Sequence, residues 1–359
     1  GFGKMSRTMQ PLWRRILSRS IVRPEDLPDR FGIDGAALGE VTARYPMRIN
    51  PYYLSLIKHP GDPIYRQCVP DMREIQDEKG MDDPLNEEGL APTPGLTHRY
   101  PDRVLLLVSS RCPMYCRFCN RKRKVGRPAM VSRHTIREGL RYIRGNREIR
   151  DVLLSGGDPF LLKNGEIEEI LAELRSIRHV EIIRIGTRVP CTLPQRVTPR
   201  LACMLRRFHP LYIHTHFNHP DEITPEAALA CGRLANAGLP LACQTVLLRG
   251  INDDVNVMRQ LMQKLLTIRV RPYYLFQGDL AKGTSHFWTP LSKGSDIIAG
   301  LQGHTTGLCV PNFVVDLPGG AGKVPVAPHR IETPEGLDRS RVVLRNYLGK
   351  TYFYPVYES

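Results

Sequence analysis

Short apolar runs recur along this chain at a regular spacing, and no other feature constrains its folding as strongly. They lie at Val104–Val108, Val152–Leu154, Glu181–Ile185, Leu211–His214, Leu241–Leu247 and Pro272–Phe276. From the second run on, starts recur about every 30 residues. Between them the apolar positions take a helical period. Ile136, Leu140 and Ile143 share one face, as do Ile167, Ile170, Leu171 and Leu174. A third helical stretch starts at Thr224-Pro225-Glu226 and stops at Ala237-Gly238; a fourth carries Met258, Leu261, Met262, Leu265 and Ile268. Strand–helix units of this length assemble as parallel βα units. Six of them suit an open, partial (β/α)6 barrel of the α/β class better than a closed eight-fold one, and Phe313–Val315 offers a further strand. The period belongs to elements and not to residues, so a solenoid is excluded.

The reading divides the chain into a helical extension (1–102), which includes the acidic-polar stretch Asp71–Glu88, a barrel (103–300) and a C-terminal segment (301–359). Polar residues follow each strand at once: a cysteine cluster, Ser155-Gly156-Gly157-Asp158, Thr187-Arg188, His214-Thr215-His216-Phe217-Asn218-His219, Gln244 and Asp279. Barrel enzymes build their sites at the C-terminal ends of the strands, so these loops are expected to meet at one mouth. Loops are polar in any protein. Three cysteines, a Gly-Gly-Asp and three histidines in register say more than that.

Composition narrows the class. Of 359 residues, 42% are hydrophobic and 24% charged, ordinary values for a globular protein. No apolar run approaches the ~20 residues that span a bilayer, so no membrane role is expected. The N-terminal stretch lacks the apolar core of a secretory signal. Nine cysteines make an odd set for a disulfide framework. The chain is therefore read as cytoplasmic, with reduced thiols. Basic residues exceed acidic ones by 51 to 36, a net +15, which raises a nucleic-acid reading. Those residues are spread along the chain, and the densest run, Arg121-Lys122-Arg123-Lys124, sits beside the cysteines. No nucleic-acid partner is expected.

Cys112, Cys116 and Cys119 form C-x3-C-x2-C, which is not the C-x2-C of a zinc ribbon or finger, and no fourth ligand follows nearby. A structural zinc or three unrelated thiols are the plain alternatives. Three thiolates from one loop can instead hold three irons of a 4Fe–4S cluster and leave the fourth open. This spacing, just after the first strand of a βα series, resembles the radical SAM superfamily. The resemblance implies that S-adenosylmethionine (SAM) binds the open iron and is cleaved on one-electron reduction to a carbon radical. The turn Ser155-Gly156-Gly157-Asp158 is similar to that superfamily's SAM-binding motif, and glycine suits close backbone approach.

Pro318-Gly319-Gly320-Ala321-Gly322-Lys323 is a second signal. A Walker A loop is rejected, because Leu317 and Val324 stand where it needs Gly and Ser or Thr. A lysine on a glycine turn can instead carry pyridoxal phosphate (PLP). Three stretches, Ile49–Ile57, Pro94–Arg103 and Phe313–Lys323, resemble the lysine 2,3-aminomutase family, with Thr215–Pro220, Val246–Gly250 and Arg269–Tyr274 also similar nearly residue for residue. The resemblance covers roughly residues 45–350. It implies that Lys323 carries PLP, that Arg99, Arg103 and Gln244 hold its phosphate, and that Arg121 takes the substrate α-carboxylate. It places His216 near SAM and implies that Asp279 and Asp316 hold the substrate's distal cation. Paired carboxylates repel an acidic side chain, so glutamate is disfavoured; arginine stays open as a second substrate.

The resemblance also implies a small amino-acid substrate and a flavodoxin- or ferredoxin-type reductant, and it leaves a homo-oligomer open. Relatives in that family bind zinc through a cysteine-rich C-terminal segment and a Cys at the position of Asp254. This sequence has neither, so no zinc is expected. His214, His216 and His219 could also ligate a metal, but lining a SAM pocket fits their context better. A basic RNA-binding protein with a structural cluster is the reading from another class, and it leaves Lys323, Asp279 and Asp316 unexplained.

Overall fold

The computed structural model describes residues 10–332 and 341–355. The first part is helical: α1 (Leu12–Ser18), α2 (Gly35–Arg44), α3 (Pro51–Ser55) and α4 (Pro63–Cys68). Each of the last three starts where an acid or amide caps it. Asp34, Asn50 and Asp62 accept from backbone amides of their helices' first turns.

A nine-stranded sheet follows in strict sequence order. Its strands are β1 (Leu96–Tyr100), β2 (Arg103–Ser109), β3 (Asp151–Gly156), β4 (Ile182–Thr187), β5 (Leu211–Thr215), β6 (Leu241–Leu247), β7 (Arg271–Gln277), β8 (Asn312–Leu317) and β9 (Gly322–Pro325). From β2 to β8 every ladder is parallel; β1 and β9 add antiparallel edges. Helices α5 (Arg133–Gly145), α6 (Asn164–Arg175), α7 (Val189–Thr192), α8 (Pro199–Leu205), α9 (Pro225–Asn236), α10 (Val255–Thr267) and α11 (Leu291–Leu301) make the crossovers. The architecture is a nearly closed partial barrel of parallel strands, as the 30-residue rhythm predicts. All seven expected strands form.

Alternate strand residues have different surroundings. Val152, Leu154, Ile183, Ile185, Leu241, Cys243 and Leu247 are buried with the apolar faces of the helices. Their neighbours on the other face, Ser155, Arg184 and Gln244, are only half-buried. The inner face is thus polar and partly open rather than packed. A small antiparallel sheet, β10 (Ile331–Glu332), β11 (Arg341–Arg345) and β12 (Thr351–Pro355), ends the described chain. Asp254 caps α10 through the amides of Asn256 and Val257.

Two features depart from the boundaries read in the sequence. Residues 96–100, assigned to the extension, are the first strand of the barrel sheet. The lysine segment is its last strand and not a separate unit. Both edge strands pair antiparallel, so neither carries the βα signature that marks the others.

Candidate active site

The gap in the barrel is bridged by side chains. Arg99 on β1 donates Nη1 to Asp316 Oδ1 on β8 at 2.5 Å. The Lys323 amide on β9 donates to the Tyr100 hydroxyl on β1 at 3.0 Å. The Lys323 ammonium lies 3.0 Å from Asp316 Oδ2. Asp316 therefore holds two cations at once, and its side chain is 7% exposed against 30% for Lys323.

Asp279 lies close by, just beyond β7. Its Oδ2 accepts from Asn120 Nδ2 at 2.8 Å. Among the described residues it makes no ion pair. Burial, and then the charge of Asp316, push its carboxyl up to about 6, with Asn120 and Lys323 opposing the shift. Arg121 stands across from it. Glu87 occupies two of its donors, Nε at 2.8 Å and Nη2 at 2.7 Å, and Nη1 reaches Ser155 Oγ at 3.2 Å.

The cysteine loop follows β2 directly. Burial raises the Cys112 thiol well above its ordinary value, helped by Asp158 and the other two thiols. Burial and then Cys116 lift Cys119 to about 11. Cys112 and Cys119, which resist ionisation, need a strong cation beside them to become thiolates, which an iron cluster supplies. Among the described residues no three Cys, His, Asp or Glu side chains converge on a single metal ion. A four-iron cluster takes one thiolate per iron and does not require that convergence. The donor set fits such a cluster.

The Gly-Gly-Asp turn lies against this loop. Gly157 N–H donates to Ser109 O at 2.6 Å, and Asp158 N–H to Arg111 O at 2.7 Å. A Cβ on Gly156 would stand 2.2 Å from Ser109 O, and one on Gly157 2.4 Å from Arg111 O. The approach these glycines allow is therefore to the cysteine loop itself. Asp158 is buried, with both carboxylate oxygens taken by Thr187 Oγ1 and the amides of Phe160 and Arg188. Its side chain ties the end of β3 to β4, where the motif resemblance had implied a cofactor contact.

Two family models match the chain: the radical SAM superfamily over residues 106–261, and a lysine-2,3-aminomutase model over residues 298–359. L-lysine 2,3-aminomutase of Clostridium subterminale is 52% identical over 316 residues, 86% of this chain and 75% of that protein. The Methanococcus maripaludis L-lysine 2,3-aminomutase is 54% identical over 93% of this chain and 78% of its own length. A glutamate 2,3-aminomutase of Clostridioides difficile is 47% identical over 87% and 74%. The chain belongs to the lysine 2,3-aminomutase family. It is a radical SAM 2,3-aminomutase, an isomerase, and membership implies an iron–sulfur cluster and SAM. No helix among the described residues is long and apolar enough to cross a membrane.

The other expected residues of this aminomutase take varied places. His216 is half-buried at the mouth; desolvation and then Arg188 and His214 lower its pKa to about 3, so it is neutral. Gln244 Nε2 lies 3.4 Å from His214 Nδ1 on the inner face. Arg103 is not drawn into the Asp316 cluster. It pairs with Asp102 at 2.8 Å and stacks on Tyr100. His219 accepts the Asp221 amide instead of joining His214 and His216.

Sequence reasoning missed Glu87, Asn120 and Arg184, and gave Arg188 no role. Arg184 lines the inner face and binds Asp151 at 2.8 Å. The available signal was charge. The acidic stretch of the extension meets the basic run almost residue for residue: Glu74 with Lys122, Glu87 with Arg121, Asp83 and Glu88 with Arg123, and Glu88 with Lys124. The densest cationic run is thus neutralised inside the molecule and is no free surface for a polyanion.

Proposed function

We propose that this enzyme moves the α-amino group of L-lysine to C3, giving β-lysine, with PLP carried on Lys323. The observation that carries the substrate is Asp279, a half-buried carboxylate with an amide for a hydrogen-bond partner and no ion pair among the described residues. A partly desolvated carboxylate with no ion-pair partner is costly, so the site calls for a cationic ligand. Asp316 lies beside it and holds Lys323 and Arg99. Were Arg99 to turn to the PLP phosphate, Asp316 would lose one of its two cations and gain an open side for the same ligand cation. Two carboxylates repel a γ-carboxylate, which argues against the substrate named for the glutamate-specific relative.

Lys323 fits PLP because its amine is part-exposed on a strand that begins with a glycine turn, and an arginine for the phosphate is adjacent. Gln244 and, after a side-chain rotation, Arg103 complete the phosphate cradle. Arg121, oriented by Glu87, offers its Nη1 edge to the substrate α-carboxylate. Cys112, Cys116 and Cys119 hold the cluster; Ser155, the Gly156-Gly157 turn and neutral His216 flank the SAM position. When bound, these groups would supply a hydrogen-abstracting radical and a carbonyl electrophile for the amino group. The chain anchors both ends of the amino acid so that C3 alone meets the radical, and it excludes water.

Substitution of the anchor tests this. Asp279→Asn should raise KM for lysine about a hundredfold, the worth of one desolvated charge pair, and leave SAM and PLP binding intact. Unchanged KM for lysine would overturn the reading.

A further inference from the structure

Thr187-Arg188 is the one strand-end loop to which the activity assigns nothing. Arg188 lies at the C-terminal end of β4 with its side chain 10% exposed. Its Nη1 lies 2.9 Å from the Sγ of Cys116, directed as a donor. Its Nη2 donates to Glu222 Oε1 at 2.8 Å and to Gln67 Oε1 at 2.6 Å. Its guanidinium lies over the Phe118 ring, 5.2 Å from the centroid. Its backbone amide is fixed by Asp158 at 2.7 Å. Its Nε is buried with no partner, which leaves a spare donor beside the cysteine loop.

We propose that Arg188 sets the reduction potential of the iron–sulfur cluster by donating a hydrogen bond to the Cys116 thiolate. The inference rests on the assignment of Cys112, Cys116 and Cys119 as the cluster's ligands. One-electron reduction adds negative charge to the irons and their sulfurs. An N–H aimed at one of those sulfurs stabilises the reduced form more than the oxidised one, so the potential rises. Glu222 cancels the guanidinium's net charge, so the directed bond, and not a bare cation, carries the effect. Glu222 and Gln67 hold the fork in place, which removes the entropy cost of aiming a long side chain. The device makes the cluster reducible by a low-potential one-electron donor.

Two variants test it. Arg188→Lys keeps the charge opposite Glu222 but is too short to reach Cys116. Arg188→Met with Glu222→Gln removes both charges together and leaves no buried ion unpaired. Each is reconstituted anaerobically without SAM, its iron and sulfide are counted, and its reduction is followed by electron paramagnetic resonance at a series of fixed potentials. The expected result is wild-type iron content with a reduced-to-oxidised ratio about tenfold lower at a given potential, the worth of one charged hydrogen bond. An unchanged ratio in both variants overturns the proposal. So does failure of both to take up iron, which would make Arg188 a strut of the loop. If the wild type itself loads no cluster, the cysteine assignment has failed instead, and the inference falls with it.

Discussion

Asp279 is held where it costs stability and is useful only with a ligand. Its carboxyl is pushed up to about 6, above its ordinary value, by burial and by Asp316. The folded state therefore binds this proton more tightly than the unfolded chain. Stability from this group is present at low pH and is lost as pH rises from about 4 to about 6. At neutral pH the charged form costs on the order of 3 kcal/mol. Asp279→Asn should accordingly raise the melting temperature at pH 7.5 while it abolishes efficient lysine turnover, a trade expected at functional sites. A lower melting temperature would contradict the strain. The same shift predicts that lysine KM climbs about tenfold per pH unit below 6 and that the Asp279→Asn variant loses this slope. The proposed chemistry-bearing residues come from resemblance, because motif spacing is local. Glu87, Asn120 and Arg188 do not, since their partners lie 34, 159 and 72 positions away in the chain.

The strands and helices were legible because each parallel strand is a short apolar run between amphipathic helices, and both patterns are written in consecutive residues. The edges were not. β1 and β9 are recognisable only by what they pair with, and the site lies where those two edges meet. The glycines of the turn after β3 are held against the loop after β2. Gly157→Ala would set a methyl group 2.4 Å from the Arg111 carbonyl, with no flexible side chain to yield. The expected cost is about 1–3 kcal/mol, seen as a lower denaturation midpoint, together with less iron per chain after reconstitution. Wild-type values for both would show that the two loops can separate freely.

At the scale of the molecule, the extension and the barrel are one charge-matched body. Glu74 from the extension is fully buried and receives Arg117 at 2.6 Å and Lys122 at 2.8 Å, on either side of the last cysteine. Burial alone would raise its pKa, but the two cations more than reverse that and hold it below its ordinary value. Its stabilisation is thus present at neutral pH and fades as pH falls through the carboxylate range. Glu74→Gln strands two buried cations and should cost about 3–5 kcal/mol in denaturant unfolding. A loss under 1 kcal/mol would mean that the extension is only draped on the barrel. The sequence carried both charge runs but not their pairing, because charge type does not specify which run folds over which.

The central claim is that this body orients lysine. The direct measurement is an anaerobic competition with the reconstituted enzyme, PLP, SAM and dithionite. L-lysine, L-arginine and L-glutamate are offered at equal concentration, and their β-isomers are resolved by mass spectrometry. The account predicts β-lysine as the dominant product. β-Glutamate in its place would contradict the reading of Asp279 and Asp316 as a cation clamp, and β-arginine alone would keep the clamp and contradict lysine as its ligand.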